Sequence, residues 1–204
     1  MTTFAEIIED VYTITNARHL VSQTILAVKS ATLQLHGRDF FAKDLVETAL
    51  QFTPADYLQS IQYRSLFPRY RALKYIRKFD PTATTVNEWG QQDKLSPISP
   101  DQILDSYGYL QNDVYYIAGD NIQIKSSTLL EYCLIGLYMH PDVSTPDNYK
   151  SWIADERKYA VVYQAASIVM GNVLRDQVGK AANQELASLE FAQVLASNIL
   201  VTGE

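Results

Sequence analysis

Few residues in this chain have the types and spacing that chemistry demands. Its three histidines, His19, His36 and His140, are far apart and fall in three kinds of element. None has a second His or Cys at metal-ligand spacing, which argues against a zinc or iron site. The single cysteine, Cys133, lies in the apolar run YCLIGLY and has no intramolecular disulfide partner. It reads as a small buried hydrophobe, with a reactive thiol as the alternative. The eight glycines are scattered singly, so neither GxxxxGK[ST] nor GxGxxG occurs, and there is no G-x-S-x-G elbow. Counting alone leaves a two-carboxylate hydrolase open, because Asp101, Asp105, Asp113, Asp120 and Glu131 are available. An acid on a loop is ordinarily solvated. The expectation is therefore a chain without catalytic residues, metal ligands or cofactor, and not an enzyme.

One stretch does stand out. From 57 to 78 the sequence interleaves aromatics and cations, YLQSIQYRSLFPRYRALKYIRK. Such interleaving suits single-strand nucleic-acid binding. It suits a protein interface better, since Tyr and Arg are enriched there. The candidate interface residues are Tyr63, Arg64, Arg69, Arg71, Lys74 and Arg77. Segment 54–79 holds six Lys/Arg against Asp56 alone, a net of +5. Segment 80–156 holds three basic and 12 acidic residues, a net of −9, within a chain of net −6. Unlike stretches of this kind let a chain meet copies of itself or a partner through opposite patches; the bland reading is a solvated surface of uneven charge. The overall acidity argues against a dedicated nucleic-acid reader.

The remaining composition is that of an ordinary globular protein, with 47% hydrophobic and 20% charged residues in 204. No apolar run approaches the roughly 20 residues of a membrane span, so no membrane partner is expected. The start, MTTFAEIIEDV, lacks the basic and apolar regions of a signal peptide, and a cytosolic protein is expected.

The elements that must position these residues divide by proline. All seven prolines lie between 54 and 146, as do ten of the 14 tyrosines. The fold expected is α+β: a mainly helical bundle from 1–53 and 142–204, with a small antiparallel β-domain over 54–141 inserted in the middle. Thr3 and Glu6 form a capping box for a helix over 3–14. Asn16 is expected to cap a second helix, with Leu20, Thr24, Val28, Ala31 and Leu35 on one side, ended by a left-handed Gly37. The next run, RDFFAKDLVETALQF, can be read as a long twisted strand or a short helix, and irregular extended chain leading to Pro54 is the favoured expectation. Strands are expected near 57–63 and 70–77, then a loop over 80–98 and a short helix opened by Ser99-Pro100-Asp101. Val114–Ala118 and Ile122–Lys125 should form a hairpin about Gly119-Asp120-Asn121, and Tyr132–Met139 the most buried strand.

The chain's axis is expected to be one helix over 152–178, about 25 residues and roughly 38 Å long. Its stripe would be Tyr159, Val162, Tyr163, Ala166, Val169, Met170 and Val173, and Gly179 would end it. A last helix would follow to about Leu200, with Leu186, Leu189, Leu195 and Ile199 available for packing.

Taken in order, several of these features resemble a known family. They are Pro54-Ala55-Asp56-Tyr57 before a cationic strand, Ser99-Pro100-Asp101 opening a helix, VYYIAGDNIQIKSS (114–127) and YCLIGLYMHP (132–141). Trp152-Ile153 and a helix with Tyr159, Tyr163 and Ala165-Ala166 complete the set. This order resembles the tailed-bacteriophage head-to-tail adaptor (connector) family, near the tail tubular protein A type of short-tailed phages, over about 54–195. The resemblance rests on the order of features and on no single motif. It implies a ring homo-oligomer, typically of twelve copies, beneath the portal protein in the virion neck. It implies no catalysis, a lengthened exit channel for genomic double-stranded DNA, and a docking surface for a tail or nozzle protein. An acidic lining would repel the duplex, and Asp93 and Asp113 are candidate channel-facing acids.

Overall fold

A computed structural model describes residues 2–79, 94–100 and 111–202, with side chains as far as Asn198. The chain is α+β, with six helices and a mixed five-stranded sheet among the described residues. Its contacts cluster into two compact units, one of 1–44 with 140–204 and one of Leu45–Met139.

The first unit is helical. Helix α1 (Phe4–Thr15) starts as expected: Thr3 accepts the Glu6 N–H, and Glu6 in turn accepts the Thr3 N–H at 2.9 Å. It ends where Asn16 takes a left-handed conformation (φ 49, ψ 36), so Asn16 closes α1 and does not open α2. Helix α2 (Val21–Gly37) begins at Leu20 without a side-chain cap. Gly37 is its last residue and the next, Arg38, is right-handed, so no left-handed glycine ends it.

The expected axis is three pieces: α4 (Trp152–Glu156), α5 (Lys158–Val169) and a π-helical turn (Met170–Leu174). No glycine or proline marks the break at Arg157 (φ −141, ψ 67). Long-range contacts hold the flanking pieces instead: Thr2 donates to Asp155 at 2.6 Å, Lys43 pairs with Glu156, and Lys158 pairs with Asp10 at 2.7 Å. The second break is a left-handed Arg175 (φ 56). Asp176 then accepts the Gly179 N–H at 2.9 Å, which puts Gly179 in the first turn of α6 (Gln177–Thr202). Helix α5 is buried nearly all round, through Ala160, Val161, Val162, Ala165, Ala166 and Val169. The expected stripe fails at its edges, because Tyr159 and Val173 are exposed. Helices α1, α2 and α6 all pack on α5.

The second unit is built on β5 (Asn121–Met139), longer than the two short strands its sequence suggested. Strand β1 (Leu45–Gln62) pairs antiparallel along it, from Leu45↔Tyr138 to Gln62↔Asn121, so ordered strand replaces the irregular chain expected before Pro54. Register shifts between Gln51 and Leu58 absorb Pro54, whose missing N–H a regular ladder would not tolerate. The opposite edge of β5 is shared by β4 (Val114–Ala118) and β2 (Tyr70–Lys78), both antiparallel. Ala118 pairs with Asn121 across Gly119-Asp120, with Gly119 at φ 58, so the turn has two residues and Asn121 already belongs to the strand.

Lys94–Ile98, expected as loop, joins β2 to β4. The Leu95 N–H reaches Ile76 O, Ser96 N–H reaches Asp113 O and Ile98 N–H reaches Tyr115 O, each at 2.9 Å. Its strand β3 (Ser96–Pro97) runs parallel to β4, which makes the sheet mixed where an antiparallel one was expected. The strands thereby close round an apolar interior that includes Ile61, Ile76, Leu95, Ile122, Ile135 and Leu137. The short helix expected to open at Ser99-Pro100-Asp101 lies, from residue 101 onward, outside the described residues.

Candidate interaction surface

The basic and aromatic stretch divides between the core and the surface of the second unit. Tyr63 opens the short helix α3 (Tyr63–Leu66) and is buried, a correction to its reading as an interface residue. Its ring packs against Tyr70 at 4.4 Å and its hydroxyl donates to Gly119 O at 3.1 Å. The reason is positional: α3 turns the chain back across the end of the sheet, and its first side chain points inward.

The cations behave differently. Arg64 is exposed, 2.7 Å from Asp120 and 5.7 Å from the Tyr63 ring. Lys74 lies 5.6 Å from the Tyr138 ring, and Arg77 lies 4.8 Å from that of Tyr75. Both residues are exposed, and in each it is the charged end that lies over the ring. Arg69 is exposed in the turn before β2, and half-buried Arg71 falls at a register shift between Tyr70 and Ala72. Arg71 also lines a cleft of about 440 Å³ with Tyr70, Leu73, Pro97, Ile98 and Tyr115. Pro97 has no N–H with which to continue the pairing that Leu95 begins.

Of the two candidate acids, Asp93 lies outside the described residues. Asp113 adopts φ 61 and is held inside the unit. It accepts the Ser127 N–H at 2.9 Å and the Ser127 hydroxyl at 2.8 Å, with Lys78 Nζ at 2.5 Å. Burial pushes its carboxyl up, but the Lys78 and Ser127 hydrogen bonds outweigh that and leave it below the ordinary value. Its charge is thus balanced by a cation from the basic stretch.

The helical unit carries a polar cluster that the motif search missed. His36 Nδ1 lies 2.9 and 3.1 Å from the two Asp44 oxygens, and Nε2 lies 3.0 Å from Ser151 Oγ. Trp152 Nε1–H donates to Asp44 Oδ1 at 2.7 Å. The order Asp–His–Ser is that of a nucleophilic relay. Yet Ser151 is 4% exposed, and its oxygen accepts the Ala154 N–H as the cap of α4. As placed, that oxygen joins helices and does not face solvent. The signal in the sequence was His36 itself, four residues beyond Thr32 on the buried side of α2.

Among the described residues, no group of three or more His, Cys, Asp or Glu is placed to hold a metal ion. No helix among them is long and apolar enough to cross a membrane. In comparisons with known proteins, the chain matches no family model and no curated protein.

Proposed function

We propose that the chain is a structural head-to-tail adaptor of a tailed bacteriophage, assembling as a ring of twelve copies beneath the portal protein. In this reading the β unit is an insertion carried by a mainly helical bundle. The ring extends the exit channel, through which genomic DNA passes without sequence-specific binding, and gives the tail or nozzle protein a platform. The chain assembles in the host cytoplasm, resides in the virion neck, and carries out no catalysis. A place one layer further down, as a nozzle-side or neck-completion component, is the nearest alternative.

The observation that carries the reading is that Arg64, Lys74 and Arg77 are exposed and lie over aromatic rings. They belong to a stretch of net +5 in a chain whose acids concentrate in the stretch that follows, 80–156, from which Asp120 pairs with Arg64. Copies bearing unlike patches attract one another head to tail, an arrangement that forms a ring where the rotation between copies closes. The order of sequence features shared with the adaptor family points the same way. The test is to mix purified protein with portal-bearing, DNA-filled capsids and image the neck with the chain labelled. A symmetric layer of labelled density at the portal is expected; its absence sinks the proposal.

The same cations and rings favour a second reading, a DNA-binding accessory protein. It requires salt-sensitive binding to free DNA, weakened in the double variant Arg71→Ala, Arg77→Ala. A gel shift at two salt concentrations separates the two, since the adaptor reading expects no retained band at either.

A further inference from the structure

On α6, Leu186 and Leu189 stand 42% and 60% exposed, among charges of both signs from Lys180, Glu185 and Glu190. In the β unit charge is sorted by strand instead. Strand β2 carries Arg71, Lys74, Arg77 and Lys78 and no acid. Strand β1 carries Glu47 and Asp56 and no cation. Between them, residues 133–139 of β5 are uncharged.

The register sets part of this contrast on one face. Gly136 pairs with Glu47 on one side and with Tyr75 on the other, and Leu134 likewise with Ala49 and Arg77. Residues paired across strands project together, so Glu47, Tyr75 and Arg77 share a face. Tyr75 and Tyr138 are each 8% exposed, with the charged ends of Arg77 and Lys74 over their rings. Two acids of the later stretch are balanced within their own copy, Asp113 by Lys78 and Asp120 by Arg64. Glu47, Asp56, Lys74 and Arg77 are different. All four are exposed, and none is in an ion pair.

We infer that β1 of one copy, through Glu47 and Asp56, meets β2 of a second copy of this chain, through Lys74 and Arg77. Strand β1 is outermost in the sheet order, and β2 lies on the opposite edge of β5. Two β1 strands brought together would set acid against acid, and two β2 strands cation against cation. The unlike contact leaves one edge of each kind free, so it continues from copy to copy until it closes. It is a contact of side chains, because the Leu95 N–H already occupies Ile76 O on the outer side of β2. The inference rests on the ring reading above and names the strands that would join the ring.

The test uses Glu47→Lys and Arg77→Glu, with circular dichroism melts to show that each folds as the wild type does. Assembly is read in solution by sedimentation velocity and on portal-bearing capsids by imaging, so copies that join only on the portal are also seen. The wild type should assemble, and each variant alone should need about tenfold more protein or worse, since like charges then meet. An equal mixture of the two should assemble as the wild type does. There the introduced lysine meets the introduced glutamate at one contact and the native pair forms at the next, an alternation that a ring of twelve admits. If either variant alone assembles like the wild type, or if the mixture does not recover, the named strands are wrong while the ring reading stands. If the mixture recovers only as far as a dimer, the contact is two-fold and the inference falls. A wild type that assembles neither in solution nor on the capsids overturns both.

Discussion

Lys78 Nζ lies 2.5 Å from Asp113 Oδ1, an ion pair between the last residue of β2 and the residue preceding β4. The two strands share one edge of β5, and Ser127 of β5 completes the knot by accepting from Lys78 at 2.9 Å and donating to Asp113. Replacing Asp113 by Asn should cost about 1–2 kcal/mol in urea unfolding, the range for charge-assisted hydrogen bonds less solvent screening. The effect should depend on pH in a stated direction. Asp113 has a folded pKa below its ordinary 3.8. Its contribution is therefore complete above that value and is lost as pH falls through the folded pKa, because the unfolded chain takes the proton first. The gap between wild type and Asp113→Asn should be full at pH 6 and should shrink on acidification below the ordinary value. A gap that stays constant would contradict this account.

Gly136 lies opposite Tyr75, and a Cβ built there would stand 2.6 Å from the tyrosine ring. Gly136→Ala should lower stability by about 1–3 kcal/mol, as overpacking does. The loss should be smaller in a Tyr75→Leu background, because the obstructing ring is gone. A double-mutant cycle of thermal melts checks the coupling.

The His36 cluster predicts a graded series. Ser151→Ala removes a cap and one hydrogen bond, and should cost about 1–2 kcal/mol. His36→Ala strips Asp44 of a buried partner and should cost about 3 kcal/mol or more. Trp152 donates to the same carboxylate and packs edge-on against His36 at 5.5 Å, so near-ultraviolet circular dichroism should change in both variants.

Burial pushes the Cys133 thiol up to about 12. A thiol-specific reagent at pH 8 should leave the native protein unlabelled and react at once in urea. Fast labelling of the native chain would show that the β unit opens more readily than the burial of Cys133 implies.

Where local chemistry decides, the sequence was legible. The Thr3–Glu6 box, the Gly119 turn and the buried side of α2 all follow from short-range pattern. Where distant contacts decide, it was not. Nothing near Arg157 announces a break, because the pieces on either side are held by Lys43, Thr2 and Asp10. The strand from Leu45 to Gln51 has little alternation of its own and is ordered by pairing with Tyr132–Tyr138. Tyr63 looked like a surface aromatic because its neighbours are charged; only the turn at α3 sends it inward. The leucines of α6 misled in the opposite sense, since helical spacing says that they share a side and not that the side is covered.

Pro54 has a consequence beyond its own strand. Strand β1 is the outermost in the sheet order, and 18 residues of uninterrupted ladder would be an inviting rail for a strand of another molecule. The proline and the shifts around it cut that rail into two short runs, Leu45–Gln51 and Leu58–Gln62. Regularising this stretch would be expected to lengthen the ladder and, with it, the tendency of crowded copies to fuse edge to edge into fibrous aggregates.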